Sequence, residues 1–264
     1  MTDPEVPRRF AAWSPVTDGE SGDLVFRSPD RTRYAKCASP ARADLLAAER
    51  DRITWLAGTG VPGATVLDWV ADDAGAYLVT SAVPGVPADR VSPAGLRRAW
   101  PSVTAAVRRL HALPTAACPY DRGLGWMLAR ARDVVARGAV HPEFLPVEQR
   151  TTPPAELLAR LAGQADRRRA QEAADTVVCH GDLCLPNILL DPATGAVIGF
   201  VDLGRLGRAD RHADLALLSV TARSTWPDEA TATAAEADFA RGYGMVPDPD
   251  RQRFYLHLDP LTWD

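Results

Sequence analysis

In the stretch ARADLLAAERDRITWLAG (41–58) the apolar residues fall at Leu45, Leu46, Ile53, Leu56 and Ala57, one face of a helix. Gly58 and Gly60 supply its stop. Before it, GDLVFRS (22–28) and RTRYAKCA (31–38) read as two short strands with a polar turn between them, a hairpin pattern. After it, TVLDWV (65–70) and GAYLVTSAV (75–83) read as two more strands joined by the acidic turn ADDAG. PGVPA (84–88) is a Pro/Gly connector and marks a boundary. Beyond it, 94–112, 124–138, 154–174, 208–223, 228–243 and 249–258 favour helix. Three apolar runs interrupt them as strands: TVVCH (176–180), NILLD (187–191) and AVIGFVD (196–202). The pattern predicts an α+β chain in two lobes. A small β-rich lobe spans 1–83, a linker 84–88, and a larger, mostly helical lobe 89–264. Such a layout offers a cleft for a ligand.

Composition narrows the picture. Hydrophobic residues make up 46% of the 264 residues and charged residues 24%, which fits a packed globular protein and excludes disorder or coiled coil. The net charge of −4 argues against a general nucleic-acid binder. No apolar run approaches the roughly 18 residues of a membrane span, and the polar, Pro-broken start MTDPEVPRRF is no signal peptide, so a cytoplasmic protein is expected. Cys37, Cys118, Cys179 and Cys184 show no metal-ligand spacing and are expected as free thiols. Of the 30 basic residues only Lys36 is a lysine. The Arg-rich usage suggests coding bias, and against it one retained ammonium is either a chance survivor or a group for which a guanidinium will not serve.

The chemistry gathers in His180-Gly181-Asp182-Leu183-Cys184-Leu185-Pro186-Asn187, which fits the H-x-D-x-x-x-x-N catalytic-loop pattern of kinases. Asp182 stands where the base that accepts a substrate hydroxyl proton belongs, and Asn187 where a metal ligand belongs. Asp202-Leu203-Gly204 closes an apolar strand at the position of the kinase D-F-G. Taken alone, His-Gly-Asp also reads as an ordinary turn and Asp202 as a strand-end turn residue. Together, two Asp and one Asn suit a hard cation. Lys36 in a strand and Glu49 on the next helix match the phosphate-facing ion pair of a kinase. Ser21 and Gly22 in DGESGD form a weak phosphate-covering turn that lacks G-x-G-x-x-G.

HGDLCLPNILL, GFVDLGRLGRADRHADLAL, AKCA, ERDRITWL, YLVTSAVPG and CPYDRGLGWMLARA together resemble the aminoglycoside phosphotransferase family, small-molecule kinases of protein-kinase-like fold. The ending RFYLHLDPLTWD resembles the branch that acts on the 3''-hydroxyl of streptomycin more than the kanamycin branch. The resemblance implies an ATP- and Mg2+-dependent kinase that confers antibiotic resistance. Asp182 would be the base, Asn187 and Asp202 the Mg2+ ligands, and Lys36 with Glu49 the phosphate-facing pair. Thr80, Ser81, Ala82 and Val83 would form the hinge that meets adenine through backbone groups. Arg205 would lie near the acceptor, and Asp259, Trp263 and Asp264 would border a cationic antibiotic. A monomer with no nucleic-acid or membrane partner is expected.

Other conspicuous residues read as structure. His111 is expected to pack or cap, Asp214 to order the catalytic loop, His212 to start a helix, and Arg167–Arg169 to form a solvated helix face. Trp55, Trp69 and Trp100 are expected in the core. The rival readings are a kinase of the same fold acting on another aminoglycoside, of kanamycin or neomycin type, or on another metabolite; a non-catalytic kinase-like module; and a Mg2+-dependent hydrolase without ATP.

Overall fold

A computed structural model of the chain describes residues 8–16 and 23–263. In chain order its elements are β1 (Ser14–Val16), β2 (Leu24–Arg27), β3 (Arg33–Ala38), α1 (Ala43–Ala57), β4 (Val66–Asp72), β5 (Gly75–Ser81), β6 (Val86–Pro87) and α2 (Pro93–His111). Then follow α3 (Leu124–Ala136), α4 (Pro154–Ala162), α5 (Ala165–Asp175), β7 (Thr176–Cys179), β8 (Ile188–Leu190) and β9 (Val197–Phe200). The last are β10 (Gly207–Asp210), α6 (Arg211–Arg223), α7 (Glu229–Tyr243) and α8 (Pro249–Leu258). The chain divides into two compact units, Met1–Ala88 with Asn187–Gly204, and Asp89–Pro186 with Arg205–Asp264.

The first unit carries an antiparallel sheet in the order β1-β2-β3-β5-β4. Phe26, Ala35, Cys37 and Val79 alternate inward from its strands and close a core with Phe10. A second sheet, β6-β8-β9, is built by the hairpin that follows Asn187. That hairpin, 187–204, belongs with the first unit, whereas sequence placed it with 89–264, and the boundary segment 84–88 contains strand β6. The reason is pairing: Val86 and Pro87 lie opposite Leu190 and Leu189, and Phe200 N–H donates to the Pro62 carbonyl at 3.1 Å.

The second unit is helical. Helices α2, α6, α7 and α8 begin where short polar side chains cap them: Ser92 accepts from Gly95 N, Asp210 from His212 N, Asp228 from Thr231 N and Asp248 from Arg251 N. Leu124, Leu128, Leu157, Leu161, Phe254 and Leu258 bring α3, α4 and α8 into one core. The apolar pattern of 154–174 is two helices, interrupted at Gly163 and Gln164. Residues 208–210, expected as the start of a helix, belong to strand β10 (GRAD), antiparallel to β7. Arg168, expected on a solvated face, is fully buried and donates to Gln164, Gln171 and Asp250, while Arg167 and Arg169 are exposed. Trp100 is in the core, but Trp55 and Trp69 are only half-buried, and Arg50 lies over the Trp69 ring at 4.6 Å. The four cysteines are free thiols. Among the described residues no helix is long and apolar enough to cross a membrane.

Candidate active site

In the first unit three charged side chains from distant parts of the sequence meet. Lys36 sits mid-strand on β3, opposite Val25 and Leu78. Its Nζ lies 2.8 Å from Glu49 Oε2 on α1 and 3.4 Å from Asp202 Oδ1. Burial works against the ammonium, but the carboxylates of Glu49 and Asp202 outweigh it and hold the Lys36 pKa above its ordinary value. Lys36 therefore stays charged at neutral pH. Glu49 is buried and committed to Lys36, whereas the Asp202 side chain is 45% exposed.

The backbone fixes that carboxylate. Asp202 has φ 59°, the left-handed region that a non-glycine residue seldom occupies. It follows β9, whose partner hairpin strand begins beside Asn187. Val201 N–H donates to the Asn187 carbonyl at 3.1 Å, so Asn187 and Asp202 project from adjacent places on one hairpin. A carboxamide and a carboxylate are hard oxygen donors. Among the described residues the only ion pair of Asp202 is the long one to Lys36. This donor set fits Mg2+.

The second unit presents the His180-Gly181-Asp182 loop at the end of β7. Gly181 has φ 87°, and a Cβ there would lie 2.0 Å from the Arg205 carbonyl oxygen, so only glycine lets these backbones pass. Asp214 is fully buried near the start of α6. Its carboxylate accepts from the backbone N–H groups of His180 at 2.6 Å and Gly181 at 2.8 Å. His111 Nε2 bonds the same carboxylate at 3.0 Å, and His111 Nδ1 bonds the Tyr243 hydroxyl at 2.7 Å. Burial opposes ionisation of Asp214, but His111, His180 and the Gly181 N–H hold its pKa below the usual carboxylate range. Asp182 N–H donates to His180 Nδ1 at 3.2 Å. Leu183 and Leu185 are buried and anchor the loop, leaving Asp182 half-buried between them and Gly181.

Arg205 leaves this crossing and reaches the C-terminal turn (259–262). Its guanidinium lies 4.2 Å from the Trp263 ring, bonds the Thr262 hydroxyl, and pairs with Asp259 at 3.5 Å. Burial lowers the Arg205 pKa to about 10, against the pull of Asp259, so it remains charged. Arg205 Nη1 is buried with no hydrogen-bond partner among the described residues, a costly arrangement that a bound anion would relieve.

The chain as a whole is similar to known proteins. The description of the Phosphotransferase enzyme family fits residues 12–255. The chain belongs to this family. It is 69% identical over 251 residues to a streptomycin 3''-kinase of Streptomyces griseus, covering 95% of this chain and 92% of that one. An aminoglycoside 3'-phosphotransferase of Streptomyces fradiae is 41% identical over 98% of this chain and 99% of its own. Among solved structures, aminoglycoside phosphotransferase APH(3'')-Id from Streptomyces rimosus superposes with a TM-score of 0.93 at 62% identity, covering 96% of this chain and 94% of that one. The same enzyme with ADP and streptomycin gives 0.91 at 60%, with the same coverage. The α+β, kinase-like fold is thus shared across this phosphotransferase family.

Within the phosphotransferase framework the expected residues fall into distinct settings. Lys36, Glu49 and Asp202 meet. Asp182 lies on a braced loop, and Asn187 and Asp202 share a hairpin. In the hinge, Ser81 N–H donates to Thr65 and Ala82 N–H to Thr32, so both donors serve the sheet. Thr80 is a paired strand residue, and Val83 accepts from Gly85 N–H. Ser21, Gly22 and Asp264 lie outside the described residues. Asp259 is buried and faces protein donors: Arg122 Nη2 at 2.8 Å and Trp263 Nε1 at 2.9 Å. Sequence reasoning gave Arg122 no role, although it sits inside the quoted CPYDRGLGW run.

Proposed function

We propose that this chain is an ATP- and Mg2+-dependent O-phosphotransferase that modifies the 3''-hydroxyl of streptomycin and so confers resistance. The observation that carries the reading is the Lys36–Glu49–Asp202 centre, in which an ammonium paired with a buried glutamate stands beside a carboxylate left open to solvent. The chain-long likeness to a streptomycin 3''-kinase, and to an enzyme solved with ADP and streptomycin, supports this acceptor.

Phosphoryl transfer asks the protein mainly for positioning and charge neutralisation. Lys36, held by Glu49, binds nucleotide phosphate oxygens as a point charge. Asn187 and Asp202 hold Mg2+, which when bound neutralises charge on the phosphates. With two hinge donors occupied in the sheet, adenine is met by the remaining main-chain groups of 81–83. Asp182 orients the sugar hydroxyl and accepts its proton as the new O–P bond forms and the bond from the γ-phosphorus to the β-bridging oxygen breaks, leaving ADP. Arg205, whose buried Nη1 has no hydrogen-bond partner among the described residues, lies near the acceptor. Trp263 borders the cationic antibiotic. The enzyme acts as a monomer in the cytoplasm, where ATP and Mg2+ are supplied. Mass spectrometry after incubation with MgATP tests the reading. Streptomycin gains one phosphoryl group and kanamycin little or none; a preference for kanamycin would overturn the acceptor assignment.

A further inference from the structure

The CPYDRGLGW run finds no place in the chemistry above, yet it is built into the second unit with care. Tyr120 and Arg122 flank a parallel bridge to β10: Arg208 N–H donates to the Tyr120 carbonyl at 2.8 Å, and Arg122 N–H to the Arg208 carbonyl at 3.0 Å. Gly207 allows this approach, since a Cβ there would lie 3.2 Å from both the Tyr120 carbonyl and Arg122 Cβ. The outcome is that Arg122, itself buried, places Nη2 2.8 Å from Asp259 Oδ1 across 137 residues of sequence.

Asp259 is the hub of this arrangement. One oxygen takes Arg122 and lies 3.5 Å from Arg205; the other accepts from Trp263 Nε1 at 2.9 Å. A buried carboxylate so engaged is poorly placed to take a guanidinium from solvent. Of its three side-chain neighbours Arg122 is buried, whereas Arg205 and Trp263 are only partly so. Trp263 is half-exposed, edged by Phe144 at a centroid distance of 6.2 Å, with the Arg205 guanidinium 4.2 Å from its ring. Arg205 also touches the catalytic loop through its backbone at Gly181.

We infer that Arg122 and Asp259 form a buried positioning pair, which fixes the Trp263 indole and the Arg205 guanidinium as one wall of the acceptor site, so that Asp259 governs antibiotic affinity without touching the antibiotic. The inference rests on the proposed streptomycin kinase activity. It also replaces the expected direct role of Asp259: selection of a polycation then falls on the Trp263 face and on groups other than Asp259. Arg205 and Arg122 together supply the positive charge that keeps Asp259 ionised in a buried place, and Arg122 holds it by the shorter contact, so removing Arg122 or Asp259 loosens the same wall.

Steady-state kinetics with streptomycin and ATP on the full chain test this, using wild type, Arg122→Met, Asp259→Asn, the double variant and Trp263→Phe. Each of the first two single changes raises the streptomycin KM about tenfold or more and moves the ATP KM less than about twofold. The double variant is no worse than the poorer single one, because both act on one device. Trp263→Phe keeps a ring but loses the N–H to Asp259, and raises the streptomycin KM about threefold or more. Multiplying effects in the double variant would mean that Asp259 touches the antibiotic, and would overturn the inference. So would an unchanged streptomycin KM in a folded Arg122→Met protein. If Arg122→Met fails to fold, Trp263→Phe decides, and a wild-type streptomycin KM there overturns it. Wild type that transfers nothing to streptomycin overturns the functional reading and this inference with it, whereas normal transfer combined with any of the contrary results overturns this inference alone.

Discussion

Asp202 and Asp214 are both aspartates beside a basic side chain, and the two units use them in opposite ways. Asp214 is fully buried, and its oxygens are filled by two backbone N–H groups and His111. Asp202 is 45% exposed in a left-handed backbone conformation, with one long ion pair to Lys36. A buried carboxylate with its acceptors filled by protein donors is scaffold: it sets the shape of the loop that carries Asp182. A carboxylate held by backbone strain, with lone pairs open, is kept for something the protein must bind. The difference separates residues that build the site from residues that meet the ligand, although both stand in one continuous run of motif.

The comparison breaks most visibly at the residue Asp214 serves. Asp182→Ala lowers kcat by about a thousandfold or more, since the base is lost, with an unchanged melting temperature and retained stabilisation by ADP. Near-normal turnover in that folded variant contradicts the loop assignment. Asp214→Ala acts first on stability. It strips partners from His111 and two N–H groups and is expected to cost about 3–5 kcal/mol in urea unfolding, where Asp202→Ala costs less than about 1 kcal/mol.

Lys36→Arg sharpens the first-unit side. The ammonium fits between Glu49 and Asp202 as a point charge, and a planar fork does not, so kcat/KM for ATP drops about tenfold to a hundredfold. Full activity in the Arg variant would make the one lysine a survivor of coding bias.

The smallest effect is a pH dependence. The Asp214 pKa is lowered on folding, so its contribution to stability is fully present above its unfolded value near about 4 and is lost as pH falls through the folded value. Wild type therefore loses stability below about pH 4 by a component that Asp214→Asn lacks, measurable as the difference between their urea unfolding curves across that window.

What sequence made legible was local. The spacing from His180 to Asn187, the strand-end Asp202 and the strand Lys36 stand where pattern reading puts them, because each is set by a few neighbouring residues. The unread parts are long-range. His111 and Asp214 are 103 residues apart, and Arg122 and Asp259 are 137 apart, so no window contains either pair. The resemblance has Asp259 bordering the antibiotic, and only tertiary packing shows it wedged between two arginines. Arg168 was misread for a similar reason: a triplet of arginines suggests solvent, yet the middle one is directed inward to Gln164 and Asp250. The hairpin 187–204 was assigned by chain order, whereas strand pairing decides where it packs. β10 was lost because GRAD runs without a break into the helical pattern of RHADLAL.

The claim that Asp202 is held open for a metal-bound nucleotide is tested most directly by calorimetric titration of ADP into wild type and Asp202→Asn, each with and without Mg2+. The account predicts that Mg2+ tightens ADP binding to wild type about tenfold or more, and that Asp202→Asn, with an unchanged melting temperature, loses that gain. An Asp202→Asn protein that binds ADP with the same Mg2+ dependence as wild type would contradict it.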